Sequence, residues 1–190
     1  MPNPKLADLY HGSLVRITAK YEGDDEAMAR WYEDSDFARN VDTDIAFPYT
    51  VEELREFGKR SATNYPFTVR LLDDDAPIGF VALHSVEWNN RTASFSIGFG
   101  LPQYRGKGYG SDAMSLVLRF AFWELNLHRV GLDFIAFNAQ GRRLYEKMGF
   151  VEEGRLREFV HRDGKRYDRV MMGLLGRDWE AAQKNAETIE

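Results

Sequence analysis

The sequence predicts a single domain of the α/β (α+β) class, a mixed, mostly antiparallel sheet with helices on both faces. Three observations predict it. Segments 67–72, 78–88 and 91–100 are strand-like and separated only by short turns, which makes an antiparallel meander. A glycine-rich loop at 103–110 then leads through a long apolar helix to another strand at 129–137, a crossover unit. Two further strands about a DGK turn close the chain as a hairpin.

The elements follow in order. LVRITAK (14–20) alternates apolar and polar residues and reads as a strand. DDEAMARWYED (24–34) reads as a helix, with acids in its first turn that suit the helix dipole. Thr50 followed by Glu53 is a capping-box signature for a second helix, about 51–62. FTVRLL (67–72), the DDDAP turn, IGFVALHSVEW (78–88), an Asn89-Asn90 turn and RTASFSIGFG (91–100) form the meander. GSDAMSLVLRFAFWELN (110–126) is a helix with Met114, Val117, Leu118, Ala121 and Leu125 on one face. RVGLDFIAF (129–137) is a strand, and NAQGRRLYEKMG (138–149) a helix closed by Gly149. The hairpin strands are 154–162 and 166–175, and the last ten residues read as frayed or helical. The order is β-α-α-β-β-β-α-β-α-β-β, one domain over 1–190 with its core about 14–176.

Length and composition agree with this. A chain of 190 residues, 44% hydrophobic and 29% charged, can bury a core without metal or disulfide staples. It has no cysteine, which excludes disulfides, thiolate zinc sites and a cysteine nucleophile, and no metal is expected. The start MPNPKLADLYHG lacks the apolar core of a signal peptide, and no apolar run approaches the ~18 residues of a membrane span. A net charge of -5 argues against a general nucleic-acid binder. The expected location is therefore cytoplasmic, with no membrane or nucleic-acid partner. The acidic excess lies in residues 1–75, while 76–190 is slightly basic, so the second half is the better place to hold an anion.

The stretch QYRGKGYG (103–110) carries the chemistry. It joins a strand end to a helix start, where free N–H groups and the helix dipole favour an anion. Gly106, Gly108 and Gly110 let a phosphate approach the amides, and Arg105 and Lys107 add positive charge. A tight turn without a ligand is the plainer alternative. Walker A requires GxxxxGK[ST], which is absent. The dinucleotide fingerprint requires glycine where Ser111 stands and an acid at the end of the next strand, whereas Asp133 lies inside that strand. A nucleotide-binding oxidoreductase is accordingly disfavoured.

QYRGKG resembles the Q/R-x-x-G-x-G/A acetyl-CoA loop of the GCN5-related N-acetyltransferase (GNAT) family. Asn138 after the next strand, Tyr145 seven residues on, and Gly149-Phe150 closing the helix match later landmarks of that family in order. NLHRV (126–130) and LYEKMGFVEEG (144–154) are similar to the branch of ribosomal-protein alanine acetyltransferases and spermidine acetyltransferases. The resemblance implies direct transfer of acetyl from acetyl-CoA to a primary amine: a protein N-terminus, a polyamine or a small amine.

It also implies roles. The strands at 92–100 and 129–137 splay apart to admit pantetheine, with Phe99 and Leu101 along that arm and the N–H near Phe99 as oxyanion donor. Gln103, Tyr104, Arg105, Gly106, Lys107, Gly108, Tyr109 and Gly110 hold the phosphates, and Asn138 contacts the cofactor. Tyr145 is the general acid at the sulfur, against the plainer role of a packed helix tyrosine.

The base is open. Relatives of the spermidine type carry a glutamate where this chain has Ser94 and Ser96. Ser96 can hold a water but cannot take a proton unaided. His84, Glu87 and a water chain are the substitutes, and a strand histidine is also an ordinary structural residue. For the acceptor, Trp31, Tyr32, Asp34, Asp36 and Phe37 place aromatics beside carboxylates, which can grip an ammonium group. A solvated acidic loop is the plainer reading of that segment. The alternative to an enzyme is a non-catalytic acyl-CoA-binding module of this fold. Exposed sheet edges leave room for a homodimer.

Overall fold

The computed structural model describes residues 8–187, so residues 1–7 of the N-terminal stretch fall outside it. One seven-stranded sheet runs in the order β1-β2-β3-β4-β5-β7-β6. Its strands are β1 (Val15–Thr18), β2 (Tyr65–Leu71), β3 (Pro77–Glu87), β4 (Thr92–Phe99), β5 (Arg129–Ile135), β6 (Val151–Arg162) and β7 (Lys165–Leu175). All neighbouring pairs are antiparallel except β4 with β5. The meander, the crossover and the closing hairpin read from the sequence are all present.

The helices depart from the sequence reading in three places. Between β1 and β2 there are three helices: α1 (Asp24–Tyr32), α2 (Ser35–Val41) and α3 (Val51–Phe57). The helix read over 24–34 ends at Tyr32, and the Asp34 carboxylate, accepting from the Asp36 N–H at 2.9 Å, starts a further helix beyond it that carried no helix reading. Helix α3 has the expected capping box between Thr50 and Glu53, but stops at Phe57 with Gly58 after it. Helix α4 (Tyr109–Arg119) passes into a π turn at Phe120–Glu124. Helix α5 (Ala139–Lys147) is capped by the Asn138 carboxamide, and α6 (Gly176–Glu187) makes the C-terminal segment helical.

Alternation along the strands assigns the two faces. Val81, Leu83, Ala93, Phe95, Val130, Leu132 and Phe134 pack beneath α4 and α5 in the main core, with Met114, Leu116, Val117 and Leu118 from α4 fully covered. Phe80, on the opposite face, meets Trp31 and Phe37 from α1 and α2. The Asp112 carboxylate accepts from the N–H groups of Ser13, Leu14 and Val15 at 2.7–3.1 Å, which ties the first turn of α4 to the start of β1. That contact fixes the helix end on which the glycine loop sits.

Candidate active site

The parallel pair β4–β5 is joined only at Thr92–Arg129, Ala93–Val130 and Ser94–Gly131. Both strands continue, to Phe99 and Ile135, without pairing each other. The Gly100 N–H donates to Ile78 O at 3.0 Å, toward β3. Strand alternation therefore turns the N–H groups of Ile97 and Phe99 the other way, into the gap. Two backbone donors thus line an opening in the sheet.

A cavity of about 750 Å³ extends from this gap to the glycine loop. The loop begins with a tight turn at Pro102–Tyr104 and then takes Gly106 and Gly108 through positive φ, 74° and 88°. A β-carbon is strained in that region, so glycine is what permits the chain to turn into α4 with its N–H groups facing the cavity. Phe99, Tyr104, Arg105, Gly106, Gly108, Gly110 and Asn138 line it, whereas Leu101, Gln103, Lys107 and Tyr109 do not. Arg143 and Lys147 of α5 supply further positive charge to the wall. They lie four residues apart on one helical face, a spacing legible in the sequence that the loop-centred reading passed over. Volume, cationic lining and free N–H groups together fit a phosphate-bearing, extended acyl carrier.

Tyr145 lines the same cavity and is buried among Phe134 and Phe150. Burial first, and the charge of Asp133 second, push its phenol up to about 12, so it holds its proton at neutral pH. Its hydroxyl has no hydrogen-bond partner among the described residues and is available to donate.

Across the sheet, on the α1–α2 face, His84 and Ser96 come together. His84 Nε2 stands 2.9 Å from Ser96 Oγ. A bulge between His84 and Glu87, with Ser85 at φ 52°, bends β3 just beyond the histidine. Burial lowers the His84 pKa, and Asp133 opposes that in part. Asp133 is the residue the sequence reading left without a role. The Ser94–Gly131 pairing carries forward to set it opposite Ser96 across the gap, on the same face. Arg169 of β7 holds it with two bonds of 2.6 and 2.7 Å.

The expected acceptor residues divide. Phe37 and Asp36 line the cavity, and Asp36 forms an ion pair with Arg105 at 2.9 Å. Trp31 is 5% exposed and lies directly against Gly100, where a β-carbon would overlap its ring. Asp34 is occupied as the cap of α2. Tyr32 packs edge-on between Phe37 and Tyr49, and burial with the nearby Asp42 raises its phenol pKa. Arg162 of β6 donates to the carbonyls of Asp42 and Asp44, which brings the hairpin over this end of the cleft.

Known proteins share this fold. The family model for the acetyltransferase (GNAT) domain matches residues 16–151. A prophage-derived N-acetyltransferase of Bacillus subtilis, YokL, is 30% identical over 148 residues, 77% of this chain and 82% of that protein. The spermidine N(1)-acetyltransferase of Vibrio cholerae is 36% identical over 98 residues, 52% of this chain and 56% of that protein. The crystal structure of a Vibrio cholerae spermidine N-acetyltransferase with CoA and spermine superposes with a TM-score of 0.79 at 25% identity, covering 87% of this chain and 98% of that one. Relatives named as enzymes do not favour a non-catalytic binder. The chain belongs to the GNAT acetyltransferase family and is an acetyl-CoA-dependent N-acetyltransferase.

Proposed function

We propose that this chain transfers acetyl directly from acetyl-CoA, held in the β4–β5 gap, to a primary amine arriving on the α1–α2 face. The observation that carries the reading is the gap itself, with Tyr145 on one side of it and His84, Ser96 and Asp133 on the other. The glycine loop, Arg105, Arg143 and Lys147 bind the phosphates, and Asn138 and Phe99 border the carrier arm. The Phe99 N–H stabilises the developing oxyanion, a donor fixed before the reaction begins. The Tyr145 hydroxyl donates to the departing sulfur.

On the acceptor side, Asp133 receives an N–H of the incoming ammonium and orients it. Ser96 passes the proton to His84, whose buried imidazole is the free base at neutral pH. Phe37, with the Tyr32 it packs against, bounds the acceptor's path, and Asp36 stands at the cofactor end. Trp31 and Asp34 support that wall from behind. The acceptor is a protein N-terminus, a polyamine or a small amine, the last two in keeping with the spermine-bound relative.

One N-acetyltransferase domain would then act in the cytoplasm, where acetyl-CoA is available. Among the described residues no helix is long and apolar enough to cross a membrane. The edge strand β6, with Val151, Leu156 and Phe159 exposed, supports pairing with a second copy in a homodimer. The deciding experiment is an acceptor screen that follows free CoA release. Amine-dependent release supports the proposal, and tight CoA binding with no release across the panel overturns it.

A further inference from the structure

A second cavity, of about 670 Å³, opens at the far edge of the sheet beside β1 and β2. Ile17, Pro66, Phe67 and Phe120 form apolar wall, with Phe67 and Phe120 edge-on at 5.2 Å. Arg16, Lys20 and Arg60 stand at its border, and no aspartate or glutamate lines it. Two of the three cations are already engaged. Arg16 bonds to Asp75 at 2.6 and 2.8 Å, and Lys20 bonds to Asp25 and to Leu54 O. Arg60 is different: it lies 5.7 Å over the Tyr65 ring and has no carboxylate partner among the described residues.

The backbone adds a second donor. The Ile17 N–H donates outward from the sheet edge to Tyr10 O at 2.8 Å. Two residues on, just past the end of β1, Ala19 lines the cavity, and its N–H has no acceptor among the described residues. An apolar chamber with one uncommitted guanidinium and one uncommitted amide at its mouth is built for a molecule with an apolar body and an anionic end.

We infer that this cavity is a ligand site, separate from the acetyl-CoA cavity, for a small aromatic carboxylate or a like amphipathic anion. The ring lies on Phe67 and Phe120, and the anion meets Arg60 and the Ala19 N–H. No bond is made or broken. An amine of the same shape is excluded, because the border offers cations and a donor and no acceptor carboxylate.

The test titrates the full chain, kept saturated with CoA so that the other cavity is filled, with anilinonaphthalene sulfonate, an aromatic anion that fluoresces in apolar surroundings. The expected result is one saturable site, displaced by phenylpropionate and not by phenylpropylamine. Arg60→Glu should weaken binding about tenfold. Arg60→Gln should weaken it in the same direction, and both variants should keep full acetyl transfer as evidence of folding. No saturable signal in the CoA-saturated chain, equal affinity in Arg60→Glu, or equal displacement by the amine overturns the inference.

Discussion

Arg105 of the glycine loop reaches Asp36 of α2, with Nη1 2.9 Å from Oδ2, and both residues line the larger cavity, the proposed acetyl-CoA site. The carboxylate therefore occupies the guanidinium proposed to bind a phosphate. Asp36→Asn removes that competitor. The acetyl-CoA KM should fall about two- to fivefold at low salt, with a smaller effect at high salt, because the pair is partly exposed. Steady-state kinetics with direct CoA titration measure it. An unchanged or higher KM would show that Asp36 does not compete for Arg105.

Stability rests on a different pair. The Asp24 and Arg70 side chains are 6% and 5% exposed and bonded at 2.5 and 2.6 Å, and Arg70 also lies 4.2 Å over Tyr21. Thr68 Oγ1 and the Tyr21 N–H donate to the same carboxylate. Removing one partner strands a buried charge. Asp24→Ala should destabilise the fold by about 3–5 kcal/mol, and Asp24→Ala with Arg70→Met should recover part of that loss. Urea denaturation of both single variants and the double variant measures the difference, and additive losses would show that the charges do not depend on each other.

These two pairs also show what the sequence could and could not convey. Thr50 and Glu53 lie within one helical turn, so their capping box was legible and is present. The three meander strands were legible for the same reason, since alternation is local. Helix α2 was not, because its cap, Asp34, is the last residue of the segment that reads as helix and its seven residues are too few to show a period. Asp36 and Arg105 are 69 positions apart, and nothing local announces their contact. Asp133 gains its setting only from the strand order β4-β5-β7, which puts Ser96 on one side and Arg169 on the other. The missing strand glutamate was visible; the carboxylate facing the same gap from β5 required the sheet.

As the proposed base, His84 should give the acceptor side a defined pH dependence. Burial holds its pKa below the ordinary 6.5, so the neutral, proton-accepting form prevails at and above that pH. The acid limb of kcat due to this group should lie below 6.5. Stability shifts the same way: the unfolded chain takes up the proton first, so stability is lost as pH falls from 6.5 through the lower folded value. His84→Gln should remove the limb and lower kcat about tenfold to a hundredfold, with the acetyl-CoA KM unchanged. A pH–rate profile of both proteins checks it, and an identical acid limb in the variant removes His84 from the proton path.

In the proposed reaction Tyr145 and Asp133 act on opposite halves. The phenol is held up to about 12 and lacks a hydrogen-bond partner among the described residues, so its proton is available to the sulfur. Tyr145→Phe should lower kcat about a hundredfold with both KM values nearly unchanged, since packing against Phe134 and Phe150 is retained. Asp133→Asn keeps the shape but loses the charge proposed to face the amine, and it releases Arg169. The acceptor KM should rise about tenfold while the acetyl-CoA KM stays put. Full steady-state kinetics in both substrates distinguish the outcomes. A loss in Asp133→Asn confined to the acetyl-CoA KM would move that carboxylate from the acceptor side to the cofactor side, and unchanged turnover in Tyr145→Phe would leave the sulfur to take its proton from solvent.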